Sequence, residues 1–323
     1  MKKITSTLTL VLAVSACTQS QPAKEGTSPA VRADQYCSGD HYRAPTGTLK
    51  ASRIDEASFS EPGLYEGPVW RDGHLYFSRF GFEQGFPSSI MGFDGRDVSV
   101  AAADTGTNGL ALDNQGQLIA GAHKYKAVVR YLLPSGEHDV LAGEYEGHVF
   151  NSPNDLTMSS TGDIYFTDPD FQRAAAPGGQ DATRVYRVDA QGRVSVVDDS
   201  IANPNGVSLS PDEQTLYVAG GGSEGFVRAY QLQDGAPGPG KTLLADVAVP
   251  DGMAIDCLGN IYVTEHTERR VRVVSPEGEE LAVINVDANV TNGAFGGQDG
   301  KTLYLTGAGA LWSIQLDVAG LPY

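Results

Sequence analysis

The chain has 323 residues, 41% of them hydrophobic, and a formal net charge of −17. That length and apolar content are enough for a large core, and the acidic balance excludes a basic stripe of the kind that neutralises nucleic-acid phosphates. The charge is compatible with a bound cation, although most of the excess reads as solvated surface charge that aids solubility.

The first segment, MKKITSTLTLVLAVSACTQS, carries Lys2 and Lys3 ahead of an apolar run from Leu8 to Ala16. This is the pattern of a secretory signal, too short to span a bilayer as a helix. Its end, Val14-Ser15-Ala16-Cys17, resembles a bacterial lipobox. The resemblance implies cleavage after residue 16 and lipidation of Cys17; an ordinary signal cleaved near Ala16 is the alternative. Thr18 follows the cysteine in place of an aspartate, which implies sorting to the periplasmic face of the outer membrane, with membrane contact only through the lipid. Without lipidation the protein would be periplasmic. Thr18 to Asp34 is polar and tether-like. Residues 17–45 are therefore expected to be tether and N-terminal arm, and 46–323 a single domain. Two further cysteines remain, Cys37 in the arm and Cys257 in the domain. A disulfide between them would pin the arm in an exported compartment; two free thiols are the other reading. No Cys/His spacing suggests structural zinc.

From Glu66 onward one segment recurs six times. The copies begin at Glu66 (EGPVWRDGHLYFS), Asn108, Asn154, Asn205 (NGVSLSPDEQTLYVAG), Asp251 (DGMAIDCLGNIYVTE) and Asn292, at steps of 41 to 51 residues. Each has an alternating apolar strand, a turn rich in Asp, Gly and Pro, and a strand of β-branched and aromatic residues. The period and the roughly four strands per copy predict an all-β, six-bladed propeller. The sixth copy has too few residues after Ile314 for an outer strand. The stretch from Ala51 to Phe59 is expected to supply it, closing the ring without exposed edges.

The first strand of each repeat should line the central channel, so the opening residues meet at one mouth. Glu66, Asn154, Asn205 and Asp251 would then offer two carboxylates and two amide oxygens. Hard cations take oxygen ligands, and Ca²⁺ accepts irregular geometry completed by water; Mg²⁺, Mn²⁺ and Zn²⁺ are the alternatives. Asn-Gly and Asp-Gly are also common turn pairs, but that does not explain Glu66 or the constant phase. Asn108 and Asn292 are read as substrate-facing groups or turn residues. Asp155, beside Asn154, and His123, at the end of a second-blade strand, are further substrate-side candidates and alternatives for the base that activates water, a purely structural role being the other reading of a lone histidine. Asp168 reads as a turn residue, a supporting role behind the site residues being the alternative. The loops Phe80–Gln84 and Arg173–Gln180 are expected to rim the mouth.

Together the segments EGPVW at 66–70, NSPNDL at 151–156, FTDPDF at 166–171, NPNG at 203–206, PDGMAID at 250–256 and TNGAFGGQDGKTLY at 291–304 resemble the gluconolactonase / senescence-marker-protein (regucalcin) family. NSPND followed by FTDP is closer to its bacterial gluconolactonases. The resemblance covers roughly residues 50 to 318 and implies a divalent-metal-dependent lactonase. It places the metal ligands on Glu66, Asn205 and Asp251, with Asn154 contacting metal or substrate. It gives Asp251 both ligand and base roles. The expected function is hydrolysis of a sugar lactone by a monomer, with the cation polarising the carbonyl and a carboxylate activating water. Two other readings stay open: a related propeller hydrolase acting on other lactones or organophosphates, and a non-catalytic envelope-tethered binding propeller. No Gly-x-Ser-x-Gly elbow supports a serine route.

Overall fold

The inner strand of each blade begins within two residues of one of the six opening residues. In the computed structural model, which describes residues 37, 41–59 and 63–321, these strands are Leu64–Arg71, Thr107–Leu112, Leu156–Met158, Val207–Leu209, Pro250–Ile255 and Val290–Gly296. Each is the first of four antiparallel strands, giving a six-bladed β-propeller. Among the described residues no helix is long and apolar enough to cross a membrane. The signal segment and Cys17 lie outside the described residues.

Alternation drives the blades together. Buried aromatics such as Phe77, Tyr165, Tyr186, Tyr262 and Trp312 point between neighbouring sheets, and each core cluster draws on more than one blade. Burial of such large side chains supplies the main stabilising term. Closure of the ring rests on the N-terminal segment, as the short sixth repeat requires. Ser52–Ile54 pairs antiparallel with the strand Leu311–Gln315, with Arg53 opposite Trp312. Across the same seam Trp70 of blade one stacks on Tyr304 of blade six at 5.5 Å, and Thr291 Oγ1 donates to Tyr65 O at 2.6 Å.

One strand is unexpected. Gly47–Lys50 adds in parallel to the outer strand of blade five, Thr48 opposite Val283. Four residues without strong alternation carry little sequence signal; the open edge of that blade recruits them. Cys37 is bonded to Cys257, with Cα atoms 5.6 Å apart. The arm is thus held at three successive points: the disulfide, the fifth strand of blade five and the fourth strand of blade six. Removing a crosslink across 220 residues should cost about 2–4 kcal/mol. The Cys37→Ser/Cys257→Ser double variant is expected to lower the urea midpoint accordingly, and reduced wild type should match it. An unchanged midpoint would mean the arm adds no stability.

Candidate metal centre and active site

Four of the six inner strands break register at the opening residue: around Glu66-Gly67-Pro68, Asn108-Gly109, Asp251-Gly252 and Thr291. Such irregularities bend a strand and re-aim its side chains. They coincide with close approach between adjacent inner strands. Gly109 N donates to Asn154 O, and Gly206 N donates to Asp251 O, each at 2.9 Å. A Cβ on Gly109 would stand 2.6 Å from Asn154 O, and one on Gly252 would strike the Asn292 amide. Neither glycine has a positive φ. These glycines therefore serve strand-to-strand contact near the axis rather than turns, and the residues ahead of them face the mouth.

There Glu66, Asn108, Asn154, Asn205 and Asp251 line one cavity of about 390 Å³. All five are at most 9% exposed. Leu64, Phe80, Phe171, Val249 and Pro250 form apolar walls, and Gln172, Asn203 and His266 are the polar groups above the floor. Asp155 and Asn292 do not reach this cavity. They line a small void deeper in the channel with Thr157 and Ser208. Asp155 accepts from Leu156 N at 3.1 Å and Val207 N at 3.2 Å. Asn292 Oδ1 is occupied by Gly293 N at 2.8 Å. His123 is fully buried behind the wall, not on it. Its Nε2 lies 2.8 Å from Phe86 O, its ring meets Phe80 and Phe86 edge-on, and burial lowers its pKa.

The electrostatics of the floor differ from the rest of the protein. Several other buried carboxylates have cationic partners, Glu265 with Arg270 and Arg272, Asp113 with Arg130 and Asp163 with Arg187, while Asp168 and Asp256 are held by backbone N–H, amide or hydroxyl donors. Among the described residues no lysine or arginine ion-pairs with Glu66, Asp155 or Asp251. Burial, then the charges of Asp251 and Asp155, drives the Glu66 carboxyl well above its usual range. Burial raises Asp251, opposed by hydrogen bonds from His266 and Asn205. Burial pushes Asp155 up to about 7, partly offset by its backbone donors. Uncompensated charge of this kind is costly unless a cation completes it.

Among the described residues no three or more His, Cys, Asp and Glu are grouped to hold a metal. The available donors are two carboxylates and three amide side chains. Asn108 Oδ1 is buried without a partner. That all-oxygen set suits a hard divalent cation and offers nothing to a soft one.

One residue escaped the sequence reading and another was assigned differently there. His266 Nδ1 sits 3.4 Å from Asp251 Oδ2 and 3.0 Å from Val290 O, while Nε2 faces Asn289 Nδ2 at 3.2 Å. These partners select the Nδ1–H tautomer. Its signal was available, because Thr264-Glu265-His266 ends the second strand of its blade at the same phase as Gly121-Ala122-His123. Asp168 is the other. It is no turn residue: fully buried at a strand end, it accepts from Asn151 N at 2.9 Å and Ser152 N at 2.8 Å.

A propeller with an oxygen ring at one mouth is the architecture of metal-assisted hydrolases and of some binding proteins alike. Comparison with known proteins narrows this. Residues 64–309 match the SMP-30/Gluconolactonase/LRE-like region, and the chain belongs to that family. It is 28% identical over 220 residues to gluconolactonase of Zymomonas mobilis, covering 63% of this chain and 61% of that protein. It is 30% identical over 217 residues to lactonohydrolase oryL of Aspergillus oryzae, covering 58% and 49%. The matched stretch thus spans about half to three-fifths of these relatives. The structure of a gluconolactonase from Xanthomonas campestris superposes with a TM-score of 0.70 at 27% identity, covering 85% of this chain and 99% of that one. A calcium-binding regucalcin from Agrobacterium tumefaciens, at 21% identity and a TM-score of 0.68 over 86% of this chain and 97% of that one, shares the fold.

Raised carboxyl pKa values set a pH dependence. The metal-free native state holds more protons than the unfolded chain between the ordinary carboxylate range and about 7. Stability from these groups is therefore full below pH 4 and is lost as pH rises through neutrality. Metal-free wild type should lose more stability between pH 5 and 7.5 than Glu66→Gln, in which one of the mutually repelling carboxyls is neutral. Parallel urea titrations of both proteins in EDTA measure the difference; parallel curves would contradict the buried-charge account.

Proposed function

We propose that this protein is a metal-dependent lactonase that opens a sugar lactone such as glucono-1,5-lactone to the hydroxy acid. The observation that carries the reading is the pair of buried carboxylates, Glu66 and Asp251, set among amide oxygens at the cavity floor without a lysine or arginine partner. Family membership supports the same chemistry. Glu66, Asn154, Asn205 and Asp251 would hold the cation, with Ca²⁺ the first expectation. When bound, it supplies Lewis acidity toward the lactone carbonyl and stabilises charge developing on that oxygen.

The chain's own groups supply the rest. Water adds to the carbonyl carbon as Asp251 takes its proton; the ring carbon–oxygen bond breaks, and the proton passes to the departing ring oxygen. His266 holds Asp251 through Nδ1 and is itself fixed by Val290 O and Asn289. Asn108 lines the same cavity, with its Oδ1 buried and without a protein partner. The apolar walls limit water access around the reacting ester.

The test compares wild type with Asp251→Ala, in EDTA and after adding Ca²⁺, Mg²⁺, Mn²⁺ or Zn²⁺, with spontaneous lactone opening subtracted. Metal-restored hydrolysis that falls by at least about 10²-fold in the variant is expected. Metal-dependent stabilisation without gluconolactone turnover would move the assignment to other lactones or phosphotriesters. No activity and no metal response would leave a binding propeller.

We further propose that the protein is exported and lipidated at Cys17. The Cys37–Cys257 bond supports an oxidising compartment. Replacing Cys17 by Ser should shift the protein from the membrane fraction to the soluble one; retention of Cys17→Ser in the membrane would refute the anchor.

A further inference from the structure

Exposure in the mouth cavity runs opposite to polarity. The oxygen donors of the floor are at most 9% exposed, whereas Phe171 is 44% and Val249 36% exposed, and half-buried Leu64 lines the same cavity. The polar groups above the floor are mostly engaged within the protein. Asn203 Oδ1 accepts from Asp170 N at 3.0 Å, both ring nitrogens of His266 have partners, and Gln172 Oε1 is buried.

Val249 is held there against its backbone preference. Its φ is +47°, and among the described non-glycine residues with positive φ it is the one that is β-branched. A β-branched side chain is an outlier in that region, and the proline that follows, Pro250, restricts it further. Glycine or asparagine takes the same conformation at less cost. Neighbouring bonds fix it. Ala248 N donates to Glu265 Oε1 at 3.0 Å, His266 N donates to Val249 O at 3.2 Å, and Glu265 is itself held by Arg270 and Arg272. Strain kept at a cavity mouth points to a task for the side chain. Packing is not that task, because 36% of the residue is exposed.

We propose that the mouth also takes lactones bearing an apolar substituent, a substrate class beyond the sugar lactone, and that Val249 and Phe171 receive that substituent. The proposal rests on the lactonase reading above. The ester group goes to the oxygen floor, and an alkyl chain on the ring lies along the wall, where it removes Val249 and Phe171 from water. Each methylene buried there is worth about fourfold in binding. An unsubstituted ring leaves both side chains exposed.

The experiment measures kcat and KM of the full-length protein, with saturating divalent cation, on δ-octalactone, δ-valerolactone and glucono-1,5-lactone. The first two share a ring and differ by a propyl chain. Wild type should favour δ-octalactone over δ-valerolactone by about tenfold in kcat/KM, mainly through KM. Val249→Asn accommodates the positive φ and removes the apolar side chain. In it that preference should fall about threefold to tenfold, while the melting temperature rises by about 1–4 °C. A residue kept for packing would give the reverse, a lower melting temperature and the same preference. Val249→Thr keeps the branched shape and replaces a methyl by a hydroxyl. It should lose preference without the gain in melting temperature, and it carries the test if Val249→Asn does not fold. A wild type that opens lactones without favouring the propyl chain, or a preference unchanged in both variants, overturns the proposal and leaves the lactonase reading intact. A melting temperature that falls in Val249→Asn overturns the strain that singles out Val249. A wild type inert toward all three lactones overturns the lactonase reading and the proposal with it.

Discussion

Everything at the mouth depends on how closely neighbouring inner strands approach the axis. At Gly109 and Gly206 the backbone N–H of one strand donates across to Asn154 and Asp251 carbonyls of the next. That contact admits no side chain, as the blocked Cβ positions at Gly109, Gly206 and Gly252 show. The residue before each glycine is then committed: its backbone is part of a tight inner ring, and its side chain faces the cavity. The recurring pair of an oxygen-bearing residue and glycine is thus one device with two outputs. The glycine sets the strand spacing, and the residue before it provides the donor. An alanine in place of Gly252 would disturb Asn292 in the next blade as well as Asp251 in its own.

The same geometry creates an electrostatic problem that ion pairing relieves at other buried carboxylates. Asp198 is answered by Arg228, Tyr230 and Ser200, and its carboxyl is held low in spite of burial. Glu66, Asp155 and Asp251 are raised instead. A protein able to pair Glu265 with two arginines leaves its axial carboxylates to repel one another. Breaking such repulsion with a cation gives binding energy that a paired cluster would lack. Neutral amide donors fit the scheme, because Asn154 and Asn205 add oxygen ligands without adding more charge.

Much of this was legible in the sequence because it repeats. Six copies in constant phase mark both the blade and its opening residue, and the shortfall after Ile314 calls for the closing strand found at Ser52–Ile54. Single events were not legible. The fifth strand Gly47–Lys50 is too short to alternate visibly. Lys126 reads as one more surface cation in a Lys-Tyr-Lys run, yet it is buried by carbonyls 25 and 47 residues away. Asp168, next to a proline, has the composition of a turn, and only its two backbone donors reveal a buried anchor. His123 and His266 share a phase and end in different places. His123 is covered by the Phe86 loop, whereas His266 meets Asp251. Repeat symmetry fixes where a side chain starts, and the loop above it decides whether it reaches the site.

That division also separates the two ends of the molecule. Asp251 opens an inner strand at the mouth, and Cys257 lies in the turn just past the far end of the same strand. The arm is therefore fastened on the face away from the cavity, where Arg43 N also bonds Asp317 O. The mouth cavity itself is bordered by Phe80 of blade one and by Phe171 and Gln172 of blade three, while Phe82 and Glu83 line a separate cavity and Arg173–Gln180 stays off the mouth. Beside it Gln180 Nε2 donates to His148 O at 2.6 Å, tying the blade-three loop to the hairpin that follows blade two, and Asn151 Nδ2 donates to Ala182 O at 2.8 Å within blade three. A floor set by glycine spacing and loops set by such individual bonds can change independently, so the loops can vary while the ring of oxygens stays fixed.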